Sequence, residues 1–121
     1  MKTMTIKIGA VLLGLCWPIL AFAQQAGDYR SAADGNWSAA ATWEVFDGNA
    51  WGAATSAPTD TEHITVTHTV TVDVPVTISG YLKVEGNGEV TIGDGSLTFA
   101  DGGVYEHARD GGSVPQATWE D

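Results

Sequence analysis

From His63 to Tyr105 the chain repeats an apolar–X–apolar triplet with little interruption. The units are Ile64-Thr65-Val66, Val70-Thr71-Val72, Val76-Thr77-Ile78, Leu82-Lys83-Val84, Val90-Thr91-Ile92 and Leu97-Thr98-Phe99, and Val104-Tyr105 opens a seventh. Their starts lie 6, 6, 6, 8, 7 and 7 residues apart. Alternation with a period of two in pieces this short, rich in β-branched residues, predicts very short strands joined by tight turns. Such strands cannot each build a sheet alone, so they must stack.

Grouped in threes, the triplets place Ile64 over Leu82, Val70 over Val90 and Val76 over Leu97, at offsets of 18, 20 and 21 residues. Leu82 to Val104 adds an offset of 22. A repeat near twenty residues with three short faces predicts an all-β fold, the start of a right-handed parallel β-helix, or solenoid. Both apolar residues of each triplet then point inward, and Thr65, Thr71, Thr77, Thr91 and Thr98 form an outward ladder. Gly80, Gly86, Gly88, Gly93, Gly95, Gly102 and Gly103 mark the corners, where positive φ is expected. Pro75 falls at a corner, where a missing N–H is tolerated. The alternative is an antiparallel β-sandwich or barrel built from hairpins, for which a spacing of six is tight.

Residues 24–60 follow a different pattern, with Tyr29, Trp37, Trp43, Phe46 and Trp51 among Asp-Gly turns. Trp43–Phe46 and Ala50-Trp51 read as two strands around Asp47-Gly48-Asn49, a hairpin turn. This segment is expected to be an aromatic N-terminal cap, since a stack of repeats otherwise exposes an apolar end. The ladder occupies 61–110, and 111–121 reads as the start of a further segment that the chain does not complete. With only about two circuits of triplets, the sequence is expected to be the N-terminal piece of a longer protein.

The first 23 residues have the anatomy of a secretory signal peptide: Lys2 and Lys7, an apolar run from Ile8 to Ile19, and Ala21-Phe22-Ala23 before cleavage. The apolar run is short and broken by Pro18, so no membrane span is expected after cleavage. Leu15 before Cys16 argues against lipidation. Cleavage removes the single cysteine and leaves Arg30, Lys83 and Arg109 against fifteen carboxylates. That balance excludes nucleic acid as a partner, because phosphate contacts need a basic footprint. A secreted, acidic and disulfide-free chain fits a bacterial surface or extracellular location.

Candidate chemistry is sparse. Trp37, Trp43 and Trp51 are the candidate ligand-binding residues, as a platform for stacking on sugar rings, although large aromatics more often fill cores. His63, His68 and His107 lack metal-ligand spacing, so no metal and no cofactor are expected. Asp94-Gly95, Asp101-Gly102 and Asp110-Gly111 offer oxygens for calcium, but Asp-Gly is first of all turn chemistry. Asp73, Glu85, Glu89 and Arg109 are the groups an acid-based polysaccharide-processing enzyme would draw on. No nucleophile-elbow motif is present, and no catalytic residue is assigned.

The run Ala26-Gly27-Asp28-Tyr29-Arg30-Ser31-Ala32-Ala33-Asp34-Gly35-Asn36-Trp37, followed by Thr42-Trp43-Glu44, Asp47-Gly48, Trp51 and Ala57-Pro58, resembles the mature N-terminus of large Gram-negative surface proteins exported by the type IX route. The tail from Gly103 to Trp119 resembles a segment recurring in those proteins. The order Gly-Asn-Trp, Thr-Trp, Pro, Val-Thr-Val is also similar to the eight-glycine domain, an extracellular all-β module thought to bind or process glycans. The resemblance spans essentially the whole mature chain, and its motifs are structural. It implies a secreted or cell-surface, non-catalytic, adhesin-like module whose partners are downstream domains of the same protein. An extracellular glycan-binding module is the alternative, with a polysaccharide-processing enzyme fragment behind it. The sorting domain of those surface proteins has no counterpart here.

Overall fold

A computed structural model describes residues 24–59 and 61–120. Residues 1–23, where a signal peptide and its cleavage are expected, lie outside the described residues. The fold is all-β. Its strands are β1 (Tyr29–Ser31), β2 (Gly35–Asn36), β3 (Trp43–Phe46), β4 (Trp51–Ala53), β5 (His63–Val66) and β6 (Thr69–Val72). They continue with β7 (Pro75–Ile78), β8 (Tyr81–Glu85), β9 (Glu89–Ile92), β10 (Ser96–Phe99), β11 (Val104–Ala108) and β12 (Thr118–Trp119).

The ladder strands are dealt in rotation to three sheets. One sheet runs β11-β8-β5-β1-β3-β4, the second β12-β10-β7 and the third β2-β6-β9. Each triplet therefore pairs with the triplet three places on, never with its neighbour, and all these pairs are parallel. Consecutive triplets make no hairpins; antiparallel pairing joins only β1–β3 and β3–β4 among the described strands. Ile64 sits over Leu82, Val70 over Val90 and Val76 over Leu97, as the spacing predicts.

The last circuit departs from that register. Tyr105, not Val104, lies against Leu82, and Val104 lies against Tyr81. A slip of one residue exchanges the two faces of a strand. Tyr105 thus joins the inward row, and Val104 is 46 % exposed.

The core lies between the sheets. Ile64, Val66, Val70, Val72, Ile78, Leu82, Val84, Leu97 and Phe99 are buried, and each aliphatic side chain removed from water contributes roughly 1.5–3 kcal/mol. The outward threonines meet across strands, with Thr71 Oγ1 3.2 Å from Thr91 Oγ1.

The aromatic region is woven into the sheets. β1 adds in parallel to β5 and β2 to β6, so this segment supplies the first strand of two faces. β3 and β4 then fold back as the anticipated hairpin, with β4 one residue later than the sequence suggests. Its turn is held by Asp47, whose Oδ1 accepts the Asn49 and Ala50 N–H groups at 2.8 and 2.9 Å. Those bonds, that from Ala50 foremost, hold the Asp47 carboxyl below the ordinary carboxylate range. A 3₁₀ turn at Ala40–Thr42 leads into β3.

Most corner glycines serve a different purpose from the one expected. In the ladder only Gly86 and Gly102 have positive φ. At Gly80, Gly88, Gly95 and Gly103 the Cα is pressed against the backbone of the circuit beneath. A Cβ at Gly88 would stand 2.1 Å from the Val66 carbonyl oxygen, and one at Gly95 would stand 2.3 Å from Val74 N. Close stacking of one corner on another, not a left-handed dihedral, reserves these positions for glycine.

Candidate functional site

The three nominated tryptophans do not form a platform. Trp37 and Trp43 are each 1 % exposed, so neither presents a face to a ligand. They meet edge to face, with centroids 5.0 Å apart and planes at 68°. Trp43 Nε1 donates to the Trp37 carbonyl at 2.8 Å, and Trp37 Nε1 to the Pro58 carbonyl at 3.4 Å. Buried indoles need such acceptors, and here the pair seals the core where the ladder begins. Trp51 is half-buried on the outer face of the six-stranded sheet. It leans on Phe46 at 5.3 Å, and the Arg30 guanidinium lies 4.3 Å from its ring centroid.

Beside Arg30 a polar cleft of about 400 Å³ is lined by Ser31, Glu44, Thr65, Thr67, His68 and Glu85. Arg30 Nε donates to Glu44 Oε1 at 2.7 Å, and Lys83 pairs with Glu85 at 3.1 Å. Ser31 Oγ lies 2.8 Å from His68 Nδ1, which suggests a serine–histidine pair. The surroundings oppose that chemistry. Ser31 is 3 % exposed, its Oγ already accepts the Thr67 N–H at 2.8 Å, and no carboxylate contacts His68 among the described residues. The cluster is a hydrogen-bonded corner where β1 stacks on β5.

The remaining nominated groups are scattered. His63 packs on the Tyr81 ring at 5.2 Å, and His107 bonds Tyr105 Oη and the Gly111 carbonyl, each at 2.8 Å. Among the described residues no three histidine, cysteine or acidic side chains converge as metal ligands. Asp94, Asp101 and Asp110 are exposed at turns, and Arg109 donates through Nη1 to the Gly88 carbonyl.

Asp73, at the corner after β6, accepts from Ser38 Oγ at 2.5 Å and from Ser38 N–H at 3.0 Å. The side-chain bond first, then the backbone bond, holds its carboxyl below the ordinary 3.8. A depressed folded value means the clamp stabilises above that ordinary value and is lost as pH falls through the folded one. Asp73→Asn is therefore expected to lower the thermal midpoint at pH 7, with the deficit shrinking as pH falls below the ordinary carboxylate range. Parallel midpoint–pH curves for the two proteins would contradict it.

The two ends of the molecule differ. At the start, the Trp37–Trp43 pair and the β3–β4 hairpin cover the core. The three sheets have β4, β2 and β7 as their edge strands at this end and β11, β9 and β12 at the other. Val104 N–H donates to the Gly80 carbonyl at 3.0 Å, which fixes the parity of the parallel ladder. The N–H and C=O groups of Tyr105 and His107 point away from β8 and have no backbone partner among the described residues. On β9 the same parity leaves Val90 and Ile92 open, and the Arg109 side chain takes the Gly88 carbonyl that a next strand would use.

The interior of this last circuit is aromatic and polar. Trp119 stacks on Phe99 at 4.2 Å with planes at 10° and is still 53 % exposed. Tyr105 meets Phe99 edge-on at 6.0 Å. His107 donates from Nε2 to the Gly111 carbonyl, which only accepts, and with the ring neutral Nδ1 accepts the hydrogen bond of the Tyr105 hydroxyl. Burial pushes the Tyr105 phenol up, against a smaller opposing effect of Arg109. The sequence reading leaves this end uncapped but does not give its aromatic and polar interior, for which the switch from aliphatic triplets to Tyr105-Glu106-His107 is the signal.

Comparison with known families, characterised proteins and solved structures returns no match. No helix among the described residues is long and apolar enough to cross a membrane.

Proposed function

We propose that the chain is a non-catalytic, secreted or cell-surface structural module, the capped beginning of a right-handed parallel β-helix that continues into downstream domains of a larger adhesin-like protein. The observation that carries this reading is the parallel pairing of each triplet with the triplet three places on, begun by β1 on β5 and β2 on β6 beside the buried Trp37–Trp43 pair. Parallel strands at successive registers near twenty residues support the solenoid reading, as does the close stacking of corner glycines. In such an array each circuit is stabilised by its neighbours. The abundance of carboxylates keeps the outside soluble. The resemblance to type IX-exported surface proteins supports the location.

Glycan binding is the weaker reading, because two of its three tryptophans are inside the core. Trp51 and the polar cleft beside it are what remain for it.

The test is extension. Appending one further circuit of triplets after Trp119, patterned on residues 81–102, is expected to raise the urea midpoint and bury Trp119, read as a blue shift of its fluorescence. An extension that stays disordered and leaves the midpoint unmoved would refute the reading. Export is tested separately by the mass of the chain recovered outside the cell, expected to lack residues 1–23.

A further inference from the structure

We infer that Asn36 is the acceptor of an N-linked oligosaccharide, attached during export before the chain folds. The inference rests on the reading of the chain as exported and adds a modification that this reading does not require.

The sequence supplies the acceptor. Asn36-Trp37-Ser38 is an Asn-X-Ser sequon with X other than proline. Asp34 stands two residues before the asparagine, the acidic position that bacterial oligosaccharyltransferases add to the requirement. The other two asparagines lack the hydroxyl two places on: Trp51 follows Asn49 at that distance, and Glu89 follows Asn87.

The fold presents the acceptor. Exposure alternates along this segment: Asp34, Asn36 and Ser38 are exposed, Gly35 is half-buried and Trp37 is buried. β2 is also the edge strand of its sheet, so the amide faces solvent where a bulky, soluble glycan can stand.

Packing gives no reason for asparagine at this position. On the outer face of the sheet Asn36 lies beside Thr71 and Thr71 beside Thr91, with the two threonine hydroxyls 3.2 Å apart. A threonine at 36 would continue that row, and asparagine is a poor strand former. The Asn36 carbonyl is engaged by Ala39 N–H at 3.1 Å and Thr42 Oγ1 at 2.9 Å. Its side-chain amide makes no hydrogen bond among the described residues, so a sugar on Nδ2 displaces no contact.

Folding withdraws the two flanking groups. Asp34 Oδ1 accepts the Thr69 N–H at 2.9 Å, and Ser38 Oγ donates to Asp73 Oδ2 at 2.5 Å. Thr69 and Asp73 stand at the two ends of β6, on which β2 stacks. Both bonds therefore form only as the ladder assembles. A transferase that grips the carboxylate and the hydroxyl finds them free in the unfolded chain.

In the transfer, Asn36 Nδ2 bonds to the anomeric carbon of an oligosaccharide carried on a polyprenyl pyrophosphate. The bond from that carbon to the phosphate oxygen breaks, and the lipid pyrophosphate leaves with the electron pair. The amide proton passes to a base of the transferase. Nothing is oxidised or reduced.

The test dilutes urea-unfolded chain into a purified bacterial oligosaccharyltransferase with its lipid-linked oligosaccharide and reads the intact mass. The refolding chain is expected to gain one oligosaccharide. Prefolded chain is expected to be modified about tenfold less, because its sequon opens only by local unfolding. Asn36→Gln removes no contact and is expected to fold and gain nothing. No gain by the refolding chain, or an equal gain in Asn36→Gln, would overturn the inference. Equal modification of prefolded chain would overturn attachment before folding. A Gram-negative host carrying the same transferase separates this inference from the export reading. Chain outside the cell that lacks residues 1–23 and bears the glycan supports both. The same chain without the glycan overturns the inference alone. Chain kept inside at full mass overturns the export reading, and attachment during export with it.

Discussion

Trp43→Ala is expected to cost about 3–5 kcal/mol of folding stability, the range for truncating a buried large aromatic. A domain of this size has roughly 5–15 kcal/mol in all, so the variant will be close to unfolding at room temperature. The loss has several parts. The indole leaves a void against Trp37 and Tyr29, which it meets edge-on at 5.0 and 6.4 Å. The Trp37 carbonyl loses the Nε1–H donor that now satisfies it at 2.8 Å. β3, which carries Trp43 opposite Ser31, loses the anchor that holds the hairpin over the ladder. Trp51→Ala should cost only about 1 kcal/mol, the scale of its cation–π contact with Arg30. Urea midpoints of the two variants provide the check. Similar midpoints would mean that Trp43 does not seal the core.

Gly88→Ala is expected to cost about 3 kcal/mol or more, at the upper end of overpacking. A methyl group there would meet the Val66 carbonyl oxygen at 2.1 Å and its carbon at 2.7 Å. Both atoms belong to the backbone of the circuit below, so relief requires the circuits to separate and their hydrogen bonds to lengthen. Gly86→Ala, two residues away, separates this effect from turn strain. Gly86 has φ of +62° but open space around it, so its cost is the left-handed penalty of about 1–2 kcal/mol. Chemical denaturation of both proteins will rank them. Equal losses would show that inter-circuit approach is not what reserves position 88.

These two sites also show how much the sequence could say. That Trp43 was aromatic and lay in a hairpin was legible, from the alternation in Trp43-Glu44-Val45-Phe46 and the Asp47-Gly48 turn. That it faced inward was not, because a lone hairpin has two faces and only the strand it joins, β1, chooses between them. Glycine at 88 was legible as a corner, but the cause was misread: dihedral freedom is a local property, and the contact that matters comes from Val66, a circuit away.

The candidate site followed the same division. Ser31 and His68 are 37 positions apart, and no local pattern joins them; β1 stacking on β5 does.

What the sequence determined by itself is the all-β class, the length of the strands, the inward and outward residues of each triplet and the register of the central circuits. These follow from a side-chain period of two and from regular spacing, both written along one dimension. The tertiary structure alone decided which face the cap tryptophans occupy, the one-residue shift that brings Tyr105 inward and the role of the corner glycines. Each of these depends on the few ångströms between stacked backbones, where parts of the chain about twenty residues apart exclude, pair with or expose one another.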